Sequence, residues 1–176
     1  MTVLCRSNDT ILGCHGANAV HFSYLQEYVA LSLGVAVGTY RQFSNNYHVY
    51  TDTPGYPSCN PAVMHSVDRY ATGEAAPYPL FSTAKETFDK ELQVFLQDMK
   101  LMHNTQYTEP FFSNVARPLV IVWKLRKAML KDYGVASKIP KGEHDYLLSL
   151  VESIAASDWR IACTEWITRR SILGVT

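Results

Sequence analysis

Apolar positions recur along the chain with two different periods, and the switch from one to the other divides it. Thr2 to Cys5 is short, β-branched and apolar, the signature of a strand that delivers Arg6 and Ser7. Asn8 through Ala17, with Gly13 and Gly16 inside it, reads as a loop with room for a brief strand or turn within it. From Asn18 the spacing turns helical: Phe22, Leu25, Val29 and Leu33 fall on one stripe, Gly34 is a natural stop, and Asn18 stands where an N-cap would. Val35 to Tyr50 is rich in Val, Tyr, Phe and Thr and reads as extended, with two strands broken near Ser44-Asn45-Asn46. His48 and Tyr50, two apart, would share one face of such a strand.

The second half changes character. Thr51 to Pro61 is proline-rich and irregular, a short helix is expected around Pro61 to Tyr70, and a loop runs through Pro79. Thr83-x-x-Glu86 is a capping-box pattern opening a helix to about Met102, with Phe88, Leu92, Phe95 and Met99 as its apolar stripe. Arg117-Pro118 begins a further helix to about Lys131. Leu147 to Ile154 and Asp158 to Leu173 read as one or two terminal helices, with Trp159, Cys163, Trp166 and Ile167 on one face. The outline is an α+β protein with an N-terminal sheet portion and a helical C-terminal half, and 176 residues fit a single domain over 1–176.

Composition narrows the function classes. Sixteen basic and sixteen acidic residues cancel, so nothing gives the field a nucleic-acid partner would need, and a small anionic ligand bound locally is the better expectation. No apolar run reaches the roughly eighteen residues of a membrane span, and no charged-then-apolar leader opens the chain, so no membrane partner is expected and the reading is cytoplasmic. Cys5, Cys14, Cys59 and Cys163 lie far apart with no C-x-x-C pair; free thiols in a reducing compartment are expected, and no metal.

The chemistry gathers at the start. Arg6, Ser7, Asp9, Gly13 and Asn18 are followed some thirty residues later by His48 and Tyr50. A guanidinium fork with a hydroxyl suits a phosphate, a primary amide suits a base edge, and an imidazole with a phenol suits sugar hydroxyls. The set fits a nucleoside monophosphate. Taken singly, each residue also has an ordinary explanation: a surface arginine, a turn carboxylate, a turn glycine, an N-cap, an edge-strand aromatic pair.

The run R-S-x-D-x-x-L-G-x(4)-N with a later H-x-Y resembles the nucleotide site of thymidylate synthase and the related deoxypyrimidine-monophosphate hydroxymethylases, as a diverged, phage-type member. The resemblance covers about Thr2 to Tyr50 and implies a thymidylate synthase-like sheet packed with helices. It implies Arg6 and Ser7 on the 5′-phosphate of dUMP, Asp9 and Gly13 at 5,10-methylenetetrahydrofolate, His48 and Tyr50 on the 3′-hydroxyl, and Asp9 and Asn18 in the catalytic set. An asparagine at the position of Asn18 goes with uracil in that family, an aspartate with cytosine, so Asn18 favours dUMP over dCMP.

Two departures stand out: four residues, Cys14-His15-Gly16-Ala17, separate Gly13 from Asn18 where the family has three with a proline, and Ser44-Asn45-Asn46-Tyr47 replaces a glycine-rich, acidic lead-in.

In the resembled family a thiolate adds to C6 of the pyrimidine, C5 takes a one-carbon unit from the folate, and hydride or water completes a methyl or hydroxymethyl group. That cysteine lies upstream of the Arg-Ser pair, and only five residues precede Arg6 here. The expectation is therefore the C-terminal portion of such an enzyme, inactive alone, with the N-terminal part of the fold missing. The resemblance also implies a homodimer, whose cross-interface phosphate arginines would be absent as well. The tail Gly174-Val175-Thr176 is somewhat like the family's closing segment. Two other readings stay open: an inactive nucleotide-binding or dimerising remnant, and an unrelated helical interaction protein.

Overall fold

Two β-strands that pair in parallel need a crossover between them, because no tight turn can return the chain to the same end. Here α1 supplies it. In the computed structural model, which describes residues 1–52, 67–134 and 139–172, strand β1 (Thr2–Asp9) leads through a π-helical stretch (Thr10–Ala17) into α1 (Asn18–Ser32), and β2 (Arg41–His48) returns beside β1. The sheet is two-stranded and parallel, with Thr2 opposite Arg41, Ser7 opposite Asn46 and Asp9 opposite His48. Gly34, at φ +66°, ends the helix as its sequence position predicts, in a conformation a Cβ would disfavour.

Several expectations about this region are corrected. β1 runs on to Asp9, so Arg6 and Ser7 lie within the strand. β2 is one strand through Ser44-Asn45-Asn46, because those polar residues pair with Cys5 and Ser7 in the ladder and do not break it. The expected loop is wound into wide helical turns, kinked at Gly16. The stripe of α1 is not its buried face: Leu25, Val29 and Leu33 are exposed, whereas Gln26 and Ala30 are buried. Gln26 offsets its burial by donating from Nε2 to the carbonyl of Gly38.

The described residues cluster into two compact units, Met1–Val67 and Asp68–Thr176. The second holds α2 (Lys85–Leu101), α3 (Arg117–Tyr133), α4 (Lys141–Val151) and α5 (Ser157–Ile172). Helix α2 ends at Met102, in the left-handed conformation, and buries Phe88, Phe95 and Met99 as the stripe predicts. Pro118 opens α3 directly after π-helical turns at Phe112–Ala116, and the carbonyl of Asn114, four residues before it, accepts instead from the N–H of Ala155 (2.9 Å). The C-terminal pattern resolves into two helices. Helix α4 packs on both α3 and α5, around Val115, Val122, Met129, Leu147, Val151, Ile154 and Ile167.

The capping box does not form. Thr83 instead turns its N–H (3.0 Å) and hydroxyl (2.8 Å) onto Glu109, which also accepts from the N–H of Ser82 (2.9 Å) and of Phe111 (3.2 Å). Burial pushes the Glu109 carboxyl up, but these donors outweigh it and hold it below the usual carboxylate range.

Among the described residues no helix is long and apolar enough to cross a membrane, and no cluster of His, Cys, Asp and Glu could hold a metal ion. Most of the expected helix at Pro61–Tyr70, Cys59 and the tail Gly174–Thr176 lie outside the described residues.

Candidate functional site

The C-terminal ends of the two parallel strands, together with the π-helical turns and the first residue of α1, bring most of the predicted residues together. At their centre is a residue that the motif leaves unspecified. Asn8, the open position of the R-S-x-D run, is 1% exposed. Its Nδ2 donates to Ser44 Oγ (3.1 Å), and its Oδ1 accepts from Asn18 Nδ2 (2.9 Å).

That bond changes the reading of Asn18. The residue has helical angles and is not the N-cap; the cap position falls to Ala17, which makes no side-chain bond. With one amide hydrogen spent on Asn8, Asn18 keeps one N–H donor and the acceptor capacity of its oxygen.

Gly13 lies against the same pair. A Cβ there would come within 2.5 Å of Asn8 Oδ1 and 3.5 Å of Asn18 Nδ2. Close packing against Asn8 thus explains the glycine with no cofactor present.

Asp9 closes the strand and caps the turns that follow, its Oδ1 accepting from the N–H of Leu12 (2.6 Å). The Leu12 N–H is also the main reason its carboxyl sits below the usual range; partial burial opposes it, and the N–H groups of Gly13, Ile11 and Tyr50 add to it. Its Oδ2 is buried and closes no hydrogen bond.

Directly opposite in the ladder, His48 likewise has a buried Nδ1 with no partner. Its carbonyl accepts from Thr10 Oγ1 (2.8 Å), which ties the end of β2 to the turns. Tyr50 lies past the end of β2, yet its ring meets the His48 imidazole edge-on, centroids 4.9 Å apart. The expected imidazole–phenol pair therefore exists, held by ring contact and not by strand pleat. His15, in the four-residue spacer, reaches Tyr47 (Nε2 to OH, 3.3 Å).

Arg6 and Ser7 stand apart from this cluster. Both are exposed on β1, with Ser7 opposite Asn46. The structure thus joins Asp9, Gly13, Asn18, His48 and Tyr50, and leaves Arg6 and Ser7 on the strand leading to them. Sequence reasoning misses Asn8 and Ser44 because a lone amide and a serine carry no periodic signal. The one hint is that Ser44 opens the segment that departs from the family's lead-in.

The chain is 42% identical to the deoxyuridylate hydroxymethyltransferase of Pseudomonas phage M6 across 97% of its own length. By descent it is a relative of the phage deoxyuridylate hydroxymethyltransferases. It is also 46% identical to the enzyme of that name from Bacillus phage SP01 over 55 residues, 31% of this chain and 14% of the phage protein. The chain spans about half the length of its Pseudomonas phage relative, 47%. No family model matches it, and no solved structure does.

Proposed function

We propose that the chain is the nucleotide-reading portion of a deoxyuridylate hydroxymethyltransferase. In this reading the two units are parts of one thymidylate synthase-like domain that works in the cytoplasm as a homodimer. The observation that carries it is Asn18, whose amide is tied at one hydrogen to a buried Asn8 and keeps the donor and acceptor that O4 and N3–H of uracil require. The relatives' name gives the transferred group, hydroxymethyl, which residue chemistry alone leaves open between two products.

The other roles follow from position. Arg6 and Ser7, exposed on β1, are assigned to the 5′-phosphate, and His48 with Tyr50 to the deoxyribose hydroxyl. The partnerless Oδ2 of Asp9 fits an N–H of a folate ring, and methylenetetrahydrofolate, when bound there, supplies the one-carbon unit.

The thiolate that opens the reaction at C6 is assigned to the part of the longer relatives outside the matched stretch. Cys163 is unsuited to that role, because burial pushes its thiol up, away from the thiolate.

Titration of the chain with dUMP and dCMP, with and without Asn18→Asp, tests the proposal. The wild type is expected to prefer dUMP and the variant dCMP, each by about tenfold or more, the value of one mismatched buried hydrogen bond. Binding of neither nucleotide, or equal binding of both, overturns it.

A further inference from the structure

We infer that Asn8 and Ser44 form a positioning relay that sets which way the Asn18 amide faces, and that this relay makes the site selective for uracil; the inference rests on the proposed reading of that site. Selectivity between uracil and cytosine is a question of amide orientation. Uracil offers an acceptor at O4 and a donor at N3; cytosine offers a donor at its 4-amino group and an acceptor at N3. Turning a terminal amide end for end exchanges the two patterns. An asparagine free to turn therefore reads either base, and a mere Asn at position 18 is not a sufficient filter.

The structure supplies what holds it. Asn18 Nδ2 donates to Asn8 Oδ1 at 2.9 Å, and Asn8 Nδ2 donates to Ser44 Oγ at 3.1 Å. Asn8 is 1% exposed, so water does not readily replace either partner. Turning Asn18 alone would set two carbonyl oxygens against each other where a hydrogen bond now is. Asn8 Oδ1 has no room to withdraw toward Gly13, where even a single added carbon would lie 2.5 Å away. Asn18 and Asn8 can reverse only together, and only if the Ser44 hydroxyl changes from acceptor to donor.

Asn8→Asp separates this role from simple packing. A carboxylate of the same shape accepts and never donates, so Asn18 must still point its Nδ2 at position 8, and Ser44 turns its hydroxyl to donate. Asn8→Ala removes the tether and lets Asn18 turn.

Titration calorimetry with dUMP and dCMP on the 176-residue chain reads the difference. The wild-type preference for dUMP is expected to persist or grow in Asn8→Asp and to fall by about tenfold or more toward parity in Asn8→Ala, the effect of one buried polar mismatch. A residue that only filled space would weaken both nucleotides alike in both variants and leave their ratio unchanged; that result, or loss of preference in Asn8→Asp, overturns the relay while the nucleotide site stands. A wild type that binds neither nucleotide, or both equally, removes the underlying reading and the relay with it. Side-chain amide exchange by NMR on the wild type covers a variant that fails to fold: slow exchange at Asn8 and at one Asn18 proton is expected, and fast exchange at both overturns the inference.

Discussion

The two units bury opposite things. In Met1–Val67 the buried described residues are Asn8, Gln26 and Ala30, two of them amides. In Asp68–Thr176 the buried set is mostly aliphatic and aromatic, and one of its two buried acids, Glu109, is wrapped in donors. Parallel sheets are ordinarily covered on both faces, and two strands alone are marginal. Here Leu4 and Phe43, opposite each other in the ladder, are 80% and 56% exposed. The contrast teaches a division of labour: the helical unit contains its own source of stability, and the sheet unit uses its few buried positions to orient polar groups.

The sharpest way to break that contrast is to damage the helical core and watch the site. Leu147 is fully buried, and Leu147→Ala is expected to cost about 2–5 kcal/mol in transfer and cavity terms. All three tryptophans, Trp123, Trp159 and Trp166, lie in this unit, so denaturant unfolding followed by indole fluorescence reports it. Below the transition, dUMP affinity is expected to hold; a parallel loss would show that the sheet unit draws its order from the helical core.

A smaller test concerns the more deeply buried acid, Glu109. Glu109→Gln puts an amide NH₂ where an oxygen now accepts backbone N–H groups, at a cost of about 1–3 kcal/mol. Because the folded carboxyl lies below its ordinary value of 4.5, its contribution is fully present above that value and is lost as pH falls through the folded one. Acid unfolding should therefore be steeper in the wild type than in Glu109→Gln; superimposable profiles would remove Glu109 from the account.

The difference between the units also governs what can be read from sequence. Helix periodicity places α2 well because its apolar stripe lies on its buried face, at Phe88, Phe95 and Met99. In α1 the same rule places the helix and misjudges its face, since Gln26 and Ala30 are buried and Leu25 and Val29 are not. Thr83-x-x-Glu86 looks like a cap because pattern cannot register a distant acceptor, and Glu109 is twenty-six residues away. At the site, Asp9, Gly13, Asn18, His48 and Tyr50 are singled out through resemblance to a family's motif, and each taken alone has an ordinary explanation. Asn8 and Ser44 are not, because their importance arises only when two strands and a helix start converge.

The smallest effect probes that convergence most directly. Gly13→Ala adds one carbon, and it would meet Asn8 Oδ1 at 2.5 Å, closer than real Cβ contacts come. Backbone dihedrals do not forbid alanine, since Gly13 is not among the positive-φ glycines, so any effect must come from crowding. Unit stability is expected to fall by only about 1 kcal/mol, at the low end for a methyl forced into a packed site. If Asn8 yields, Asn18 shifts with it, and dUMP affinity should fall more than thermal stability does. Were the glycine present only for chain flexibility, stability and affinity would move together, or neither would move. Measuring the melting temperature and dUMP affinity on the same preparation decides between a turn and a wall of the site.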